Sequence, residues 1–152
     1  MNHWLFKSEP DTFSIKDLEE RGSEGEVWDG VRNYQARNFL RDDCRVGDRV
    51  LFYHSSCKIP GVAGEAKVVE IGIVDPTQFD ETSNYFDPKA TKEKPRWHTV
   101  RVAFVKEFKN IIPLTDLKQI RELNRMQLLK PGNRLSVLPI KKAEYEIIKK
   151  LA

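Results

Sequence analysis

VGDRVLFYHSSCKIPGVAGEAKVVEIGIV, from Val46 to Val74, decides the architecture. A Gly47-Asp48 turn leads into a run in which Val50, Phe52 and His54 alternate with Leu51, Tyr53 and Ser55. Both faces of that run are apolar for most of its length, which is the pattern of a central strand covered on two sides. After CKIPG, a second and longer β-rich run begins at Val62, and Gly47, Gly61, Gly64 and Gly72 fall where turns or bulges would bend strands around a small barrel.

Working outward, WHTVRVAFVKEF (Trp97–Phe108) is a further strand with clear alternation. Val100, Val102 and Phe104 share one face as a core stripe, which puts Trp97, Thr99 and Arg101 on the other. Trp97 is therefore out of phase with its own core. It is either a cover over a second cluster or one wall of an aromatic pocket. HWLFKSE (His3–Glu9) is an N-terminal strand stopped by Pro10, and RLSVLPI (Arg134–Ile140) a short strand ended by Pro139.

The spacing predicts four helices: SIKDLEE capped by Ser14 with Asp17 three residues on; a segment capped by Asn33, carrying Ala36, Phe39 and Leu40 and ending near Asp43; LTDLKQIREL capped by Thr115; and KKAEYEIIKKLA at the C-terminus. Residues 76–96 are polar, interrupted by three prolines, and read as an exposed loop. Strands with helices inserted irregularly between them, rather than βαβ alternation, give an α+β class with a mostly antiparallel, strongly curved sheet. At 152 residues, with no repeat or linker, one domain spanning 1–152 is expected.

Composition narrows the function. With 39% hydrophobic and 32% charged residues, no apolar run of membrane length and no secretory leader, the chain is expected in the cytoplasm, or in the nucleus of a eukaryotic cell. Cys44 and Cys57 are too few for a disulfide framework and lack the partners of a zinc site, so both are expected as thiols, with no metal and no cofactor. Charge is uneven. Residues 1–76 carry 10 Lys and Arg against 14 Asp and Glu, a net −4, whereas residues 77–152 carry 16 against 9, a net +7. A basic half is compatible with a polyanionic partner, and equally with a solvated face.

WDGVRNYQARN, Trp28 to Asn38, concentrates an indole, carboxamides and guanidinium groups, the parts for holding a planar polar ligand. Taken singly, Trp28 as core, Asn33 as cap and solvated Arg32 and Arg37 account for it nearly as well. His54 and Cys57 lie close in sequence but lack the distant orienting partner of a nucleophilic pair. No glycine-rich dinucleotide loop, Walker loop, HExxH or GxSxG is present.

WLFKSEP, WDGVRNYQARN, GDRVLFYHS, PGVAGEAKVV, YFDPKATKEKPRWHTVRV and RLSVLPI, in this order, closely resemble the EVE domain family, whose eukaryotic members include thymocyte nuclear proteins. The likeness runs from Trp4 into the C-terminal helix. It implies a PUA-like fold, a small curved mixed β-barrel of about five to six strands with helices packed around it, related to the YTH domains. It also implies a non-catalytic module that takes a modified nucleobase, such as 5-methylcytosine or 5-hydroxymethylcytosine in DNA or RNA, into an aromatic pocket by base flipping. Carried over, Lys7, Ser8, Trp28, Arg32, Asn33, Tyr34, Tyr53, His54, Ser55 and Trp97 would surround that pocket, with Trp28 and Trp97 as facing walls. Arg37, Lys89, Lys92, Lys94 and Arg96 would meet phosphates. The expected partner is nucleic acid carrying a modified base, with no membrane and a monomeric chain. Rival readings are an enzyme acting on a nucleotide or small metabolite through His54, Lys7 and Cys57, and a protein-interaction module using the basic half.

Overall fold

The computed structural model describes residues 1–152. Six strands, β1 (His3–Ser8), β2 (Glu26–Val27), β3 (Arg49–His54), β4 (Gly61–Val74), β5 (His98–Pro113) and β6 (Val137–Ile140), form one sheet in the order β2-β5-β4-β3-β1-β6. The β1–β3 pair is parallel and the other pairs are antiparallel, so the sheet is mixed and the class is α+β, PUA-like. The two edges, β2 and β6, do not pair with each other, and the curved sheet stays open.

Its curvature is visible in the core. In a flat sheet β2 and β1, four strand spacings apart, would be separated by roughly 19 Å. Yet Trp28, immediately after β2, has its ring 5.4 Å from that of Phe6 on β1 and 5.5 Å from that of Phe52 on β3. The sheet curls until its first edge closes over its centre. Register shifts along β4–β5 at Val62/Gly64, Glu65/Ala66, Val68/Glu70 and Glu70/Ile73 supply the bending. Gly64 is required at one of them, since a Cβ there would stand 2.4 Å from the Lys106 carbonyl oxygen.

As expected, Val50, Leu51 and Phe52 of β3 are fully buried on both faces, and the Gly-Asp turn before them is locked by Asp48. That buried carboxylate accepts hydrogen bonds from the Asn2 and Arg45 backbone N–H groups and from Trp4 Nε1. The Ser14/Asp17 capping box opens α1 (Ile15–Glu20). Asn33 Oδ1 accepts from the Ala36 N–H at 3.0 Å to open α2 (Tyr34–Asn38), which continues as a π turn through Asp43. Pro139 lies within β6 rather than ending it, tolerated on an edge strand. Helix α4 (Lys142–Leu151) closes the chain; no helix is long and apolar enough to cross a membrane.

LTDLKQIREL departs from the expected helix. Only Leu114–Leu117 is α-helical (α3), Pro113 rather than Thr115 precedes it as cap, and the chain then proceeds by successive three-residue turns. The reason is in the spacing. Leu117, Ile120, Leu123, Met126 and Leu129 recur every third residue, the period of a 3₁₀ winding rather than of an α-helix. From Ile120 onward, the N–H of each bonds the carbonyl of the one before it, at 2.9–3.2 Å.

Candidate functional site

A cleft of about 760 Å3 opens at the C-terminal ends of the parallel pair β1 and β3, inside the roughly 300–1,000 Å3 range of small-molecule sites. Lys7 and Ser8 come from the end of β1, Ser55 and Ser56 from the turn after β3, Trp28 to Asn33 from the segment after β2, Arg134 and Ser136 from the approach to β6, and Tyr85 from the 76–96 loop. Backbone bonds hold these pieces together: Lys7 N–H donates to the Ser136 carbonyl, Ser55 N–H to that of Ser8, and Trp28 N–H to that of Val100, each at 2.8–2.9 Å.

Six of the ten expected pocket residues, Lys7, Ser8, Trp28, Arg32, Asn33 and Ser55, line this cleft. Lys7 has no carboxylate partner, and burial lowers its pKa. Trp28 is 7% exposed and packed among Phe6, Phe13 and Phe52, so it offers the cleft a small part of its indole and is itself a core residue. Its truncation would mix lost folding with lost binding.

Tyr34, Tyr53, His54 and Trp97 lie elsewhere. His54 is buried, and its Nε2 accepts the backbone N–H of Ile15 at 3.2 Å, capping the start of α1 and leaving Nδ1 to carry the neutral ring's proton. Burial lowers its pKa, and its acceptor nitrogen is committed, so it does not stand as a base for Cys57. Tyr53 is buried beneath the Lys7 ammonium, 5.9 Å from its ring centroid, and burial raises its pKa to about 12. Both thiols are free, Cys44 buried with its pKa raised to about 12 by burial.

Trp97 is off the main core, as its phase implied, but it does not face Trp28 across the cleft. It stacks on Tyr34 with ring centroids 4.9 Å apart and an 18° interplanar angle, while its Nε1 donates to Asp87 at 2.7 Å. Arg32 and Arg37 lie over its faces at 5.0 and 5.9 Å. Of the expected phosphate contacts, Arg37 donates to the Arg96 carbonyl and to Asn38, and Arg96 reaches Tyr34 Oη and Asp87. Both guanidinium groups brace the stack. Lys89, Lys92 and Lys94 are exposed and unpaired.

Arg32 is a hub rather than a free cation. Nε donates to the Tyr85 carbonyl at 3.0 Å, one terminal nitrogen to the Val31 carbonyl and to Asp75 Oδ2 at 3.0 and 3.1 Å, the other to Thr77 Oγ1 and again to Tyr85 at 3.0 and 2.7 Å. Its donors are fully used. Asp75 is likewise saturated by the Gly30 N–H and by Thr77. Buried Gln78 ties the same loop to the start of β5, donating to the Asp75 and Trp97 carbonyls and accepting from the Arg96 and Trp97 N–H groups. The 76–96 segment is thus pinned at its base and swings Tyr85 over Gly30, whose φ of +82° and missing Cβ admit the phenol ring.

Tyr85, Asp29, Phe13, Arg134 and Ser136 belong to the cleft and were not singled out from sequence. Asp29 sat inside WDGVRNYQARN beside the chosen tryptophan; Tyr85 and Ser136 sat inside two other motifs already noted.

The chain matches the EVE domain family over residues 2–151. It is 39% identical to human thymocyte nuclear protein 1, the match covering 97% of this chain and 72% of that protein. Among solved structures it superposes on a hypothetical protein from Leishmania major with a TM-score of 0.94 at 50% identity, covering 99% of this chain and 94% of that one. It superposes also on human THYN1 protein in complex with DNA containing 5-methylcytosine, with a TM-score of 0.92 at 39% identity, covering 99% and 97%. Motif order, sheet topology and these likenesses agree: the chain belongs to the EVE domain family.

Proposed function

We propose that this protein is a non-catalytic module that binds a modified nucleobase in nucleic acid by receiving it, out of the stack, in the cleft between β1, β3 and the Trp28–Asn33 segment. The observation that carries this reading is the convergence in one cleft, roomy enough for a base and its sugar, of an aromatic edge, a carboxamide, hydroxyls and an unpaired lysine, from Trp28, Asn33, Ser8, Ser55 and Lys7. A superposing relative of 39% identity has been crystallised with 5-methylcytosine DNA, which makes DNA the favoured polymer and 5-methylcytosine or its hydroxymethyl form the favoured base.

The energetics are consistent. A base within a duplex must leave its stack to be inspected, at a cost of a few kcal/mol. Stacking on Tyr85 or Phe13, with the exposed edge of Trp28 beside it, would return about 1 to 3 kcal/mol. Edge hydrogen bonds to Asn33, Ser8 and Ser55 supply more. Asn33 Oδ1 already accepts from Ala36 at the head of α2, so its amide nitrogen is the group left to the ligand. Phosphate contacts come from Lys89, Lys92 and Lys94, and the Tyr34–Trp97 ledge flanked by Arg37 and Arg96 meets the neighbouring backbone. A buried methyl adds only about 0.8 kcal/mol, so shape and edge chemistry must do most of the discrimination. A protein of this kind would work in the cytoplasm of a bacterium or in the nucleus of a eukaryotic cell.

Binding to matched single- and double-stranded DNA and RNA oligonucleotides, each with one modified base, tests the reading. The expected result is tighter binding to a modified strand than to its plain counterpart; equal affinity throughout would overturn it.

A further inference from the structure

The cleft contains a carboxylate that the fold does not use. Asp75 is saturated by Gly30, Arg32 and Thr77, and Glu26 takes the Arg21 Nε at 2.7 Å. Asp29, in the same wall and directly after Trp28, takes no hydrogen bond from another side chain and forms no salt bridge; its internal partners are its own backbone N–H and, at longer range, the Arg32 charge. Its surface is open to the cleft, while the surrounding protein, with Asp75 and Glu26 nearby, raises its pKa. Lys7 is its counterpart, a cation without a carboxylate lining the same recess. Glu9 and Arg134 line the same cleft and also lack ion pairs, but they enter it from the end of β1 and the approach to β6, whereas Asp29 is the residue directly after Trp28. Directly after Trp28 in the chain the cleft thus presents a group that only accepts, and from β1 a group that only donates.

We infer that Asp29 is the specificity-determining residue of the cleft, accepting a hydrogen bond from the exocyclic amino group of a flipped base, so that cytosine and its 5-substituted forms are taken and thymine is refused. The inference rests on the base-binding reading above. Cytosine presents the N4 amino group as donor, with N3 and O2 as acceptors for Lys7 and the serine hydroxyls. Thymine puts O4 where the amino group would be, and two acceptors then face each other over a charge that has lost its water. The comparison is chemically clean because 5-methylcytosine and thymine share ring and methyl group and differ only at position 4 and N3. A pocket that measured shape and methyl alone would not separate them.

The test is binding of the full chain to oligonucleotides identical except for 5-methylcytosine, cytosine or thymine at one central position, for the native protein and for Asp29→Asn and Asp29→Ala. Native protein should prefer 5-methylcytosine to thymine by roughly ten- to a hundredfold, the span of a good edge contact. Asp29→Asn can turn its amide to meet either edge, so it should lose that preference, weakening on 5-methylcytosine and strengthening on thymine. Asp29→Ala should weaken on 5-methylcytosine without the gain on thymine. Since the Asp29 side chain makes no salt bridge and takes no hydrogen bond from another side chain, while burial and the nearby Asp75 and Glu26 disfavour its charge, neither variant should melt below the native protein. An Asp29→Asn protein that keeps the native ratio would overturn the inference while leaving base binding intact. The same holds if native protein prefers 5-methylcytosine to cytosine yet binds thymine as well. Native protein indifferent to all three bases would overturn both.

Discussion

Replacing Arg32 with lysine is the sharpest probe of how the cleft is held. The guanidinium makes five hydrogen bonds, to Val31, Asp75, Thr77 and twice to Tyr85, and covers the Trp97 ring at 5.0 Å. An ammonium carries three donors on a single nitrogen and cannot span those four residues, so at least two bonds are lost. Asp75 keeps the Gly30 N–H and both Thr77 donors, so it is not left bare. At about 1 kcal/mol net per bond the loss is about 2 kcal/mol, a large share of the roughly 5–15 kcal/mol that holds such a domain together. The bonds lost include those to Tyr85, which lines the cleft, so loosening should also reach the ligand. If all 2 kcal/mol were transmitted, affinity would fall roughly 30-fold; with Tyr85 only one wall of several, a three- to tenfold loss is expected. Urea unfolding and oligonucleotide titration of the same protein measure both. An Arg32→Lys variant within about 0.5 kcal/mol of native stability, with native affinity, would refute the hub.

Gly30→Ala should displace Tyr85, because its Cβ would lie 2.7 Å from the ring at a φ of +82°; about 1–2 kcal/mol of strain and weaker binding are expected in the same two assays. Changing Lys89, Lys92 and Lys94 to glutamine should lower affinity for plain and modified strands alike and flatten the log–log salt slope by about 0.9 per lost phosphate contact, with the preference for the modified base unchanged. Phe52→Ala, which empties a fully buried position, should cost about 3–5 kcal/mol by urea unfolding, and Phe104→Ala, at a half-buried position, clearly less. All three histidines have pKa values lowered chiefly by burial. The unfolded chain then binds protons more readily than the folded one, so stability is complete above about pH 6.5 and declines as pH falls below it. His54→Asn should flatten that decline in thermal melts across pH 5 to 8, since protonating His54 breaks its bond to Ile15.

Much of the fold was legible because it follows local rules. Alternation identified β3 and β5, the Ser14 and Asn33 caps located α1 and α2, and the phase of Trp97 put it off the core. LTDLKQIREL was misread because its apolar residues repeat every third position, which a search for an amphipathic helix accepts over one turn and only a longer window rejects. The site was less legible for a different reason. Which face of Trp28 meets ligand depends on a sheet curl that brings Phe52 from across three strand spacings and Phe6 from across four, and no local pattern encodes that. Arg32 read as a solvated or ligand-facing cation because sequence shows a charge but not the Asp75, Thr77 and Tyr85 groups that consume it. Asp29 was passed over because a lone aspartate next to a glycine reads as a turn residue, and only the finished cleft shows it unpartnered.

The claim that a base leaves its stack to enter the cleft is tested most directly by a duplex carrying 2-aminopurine beside a single 5-methylcytosine, titrated with the native protein alongside its unmethylated twin. Unstacking the neighbour should raise 2-aminopurine fluorescence as binding saturates, at lower protein concentration and to a higher plateau on the methylated duplex. Saturable binding to both duplexes with no change in fluorescence would contradict the account and leave a protein that holds the phosphate backbone alone.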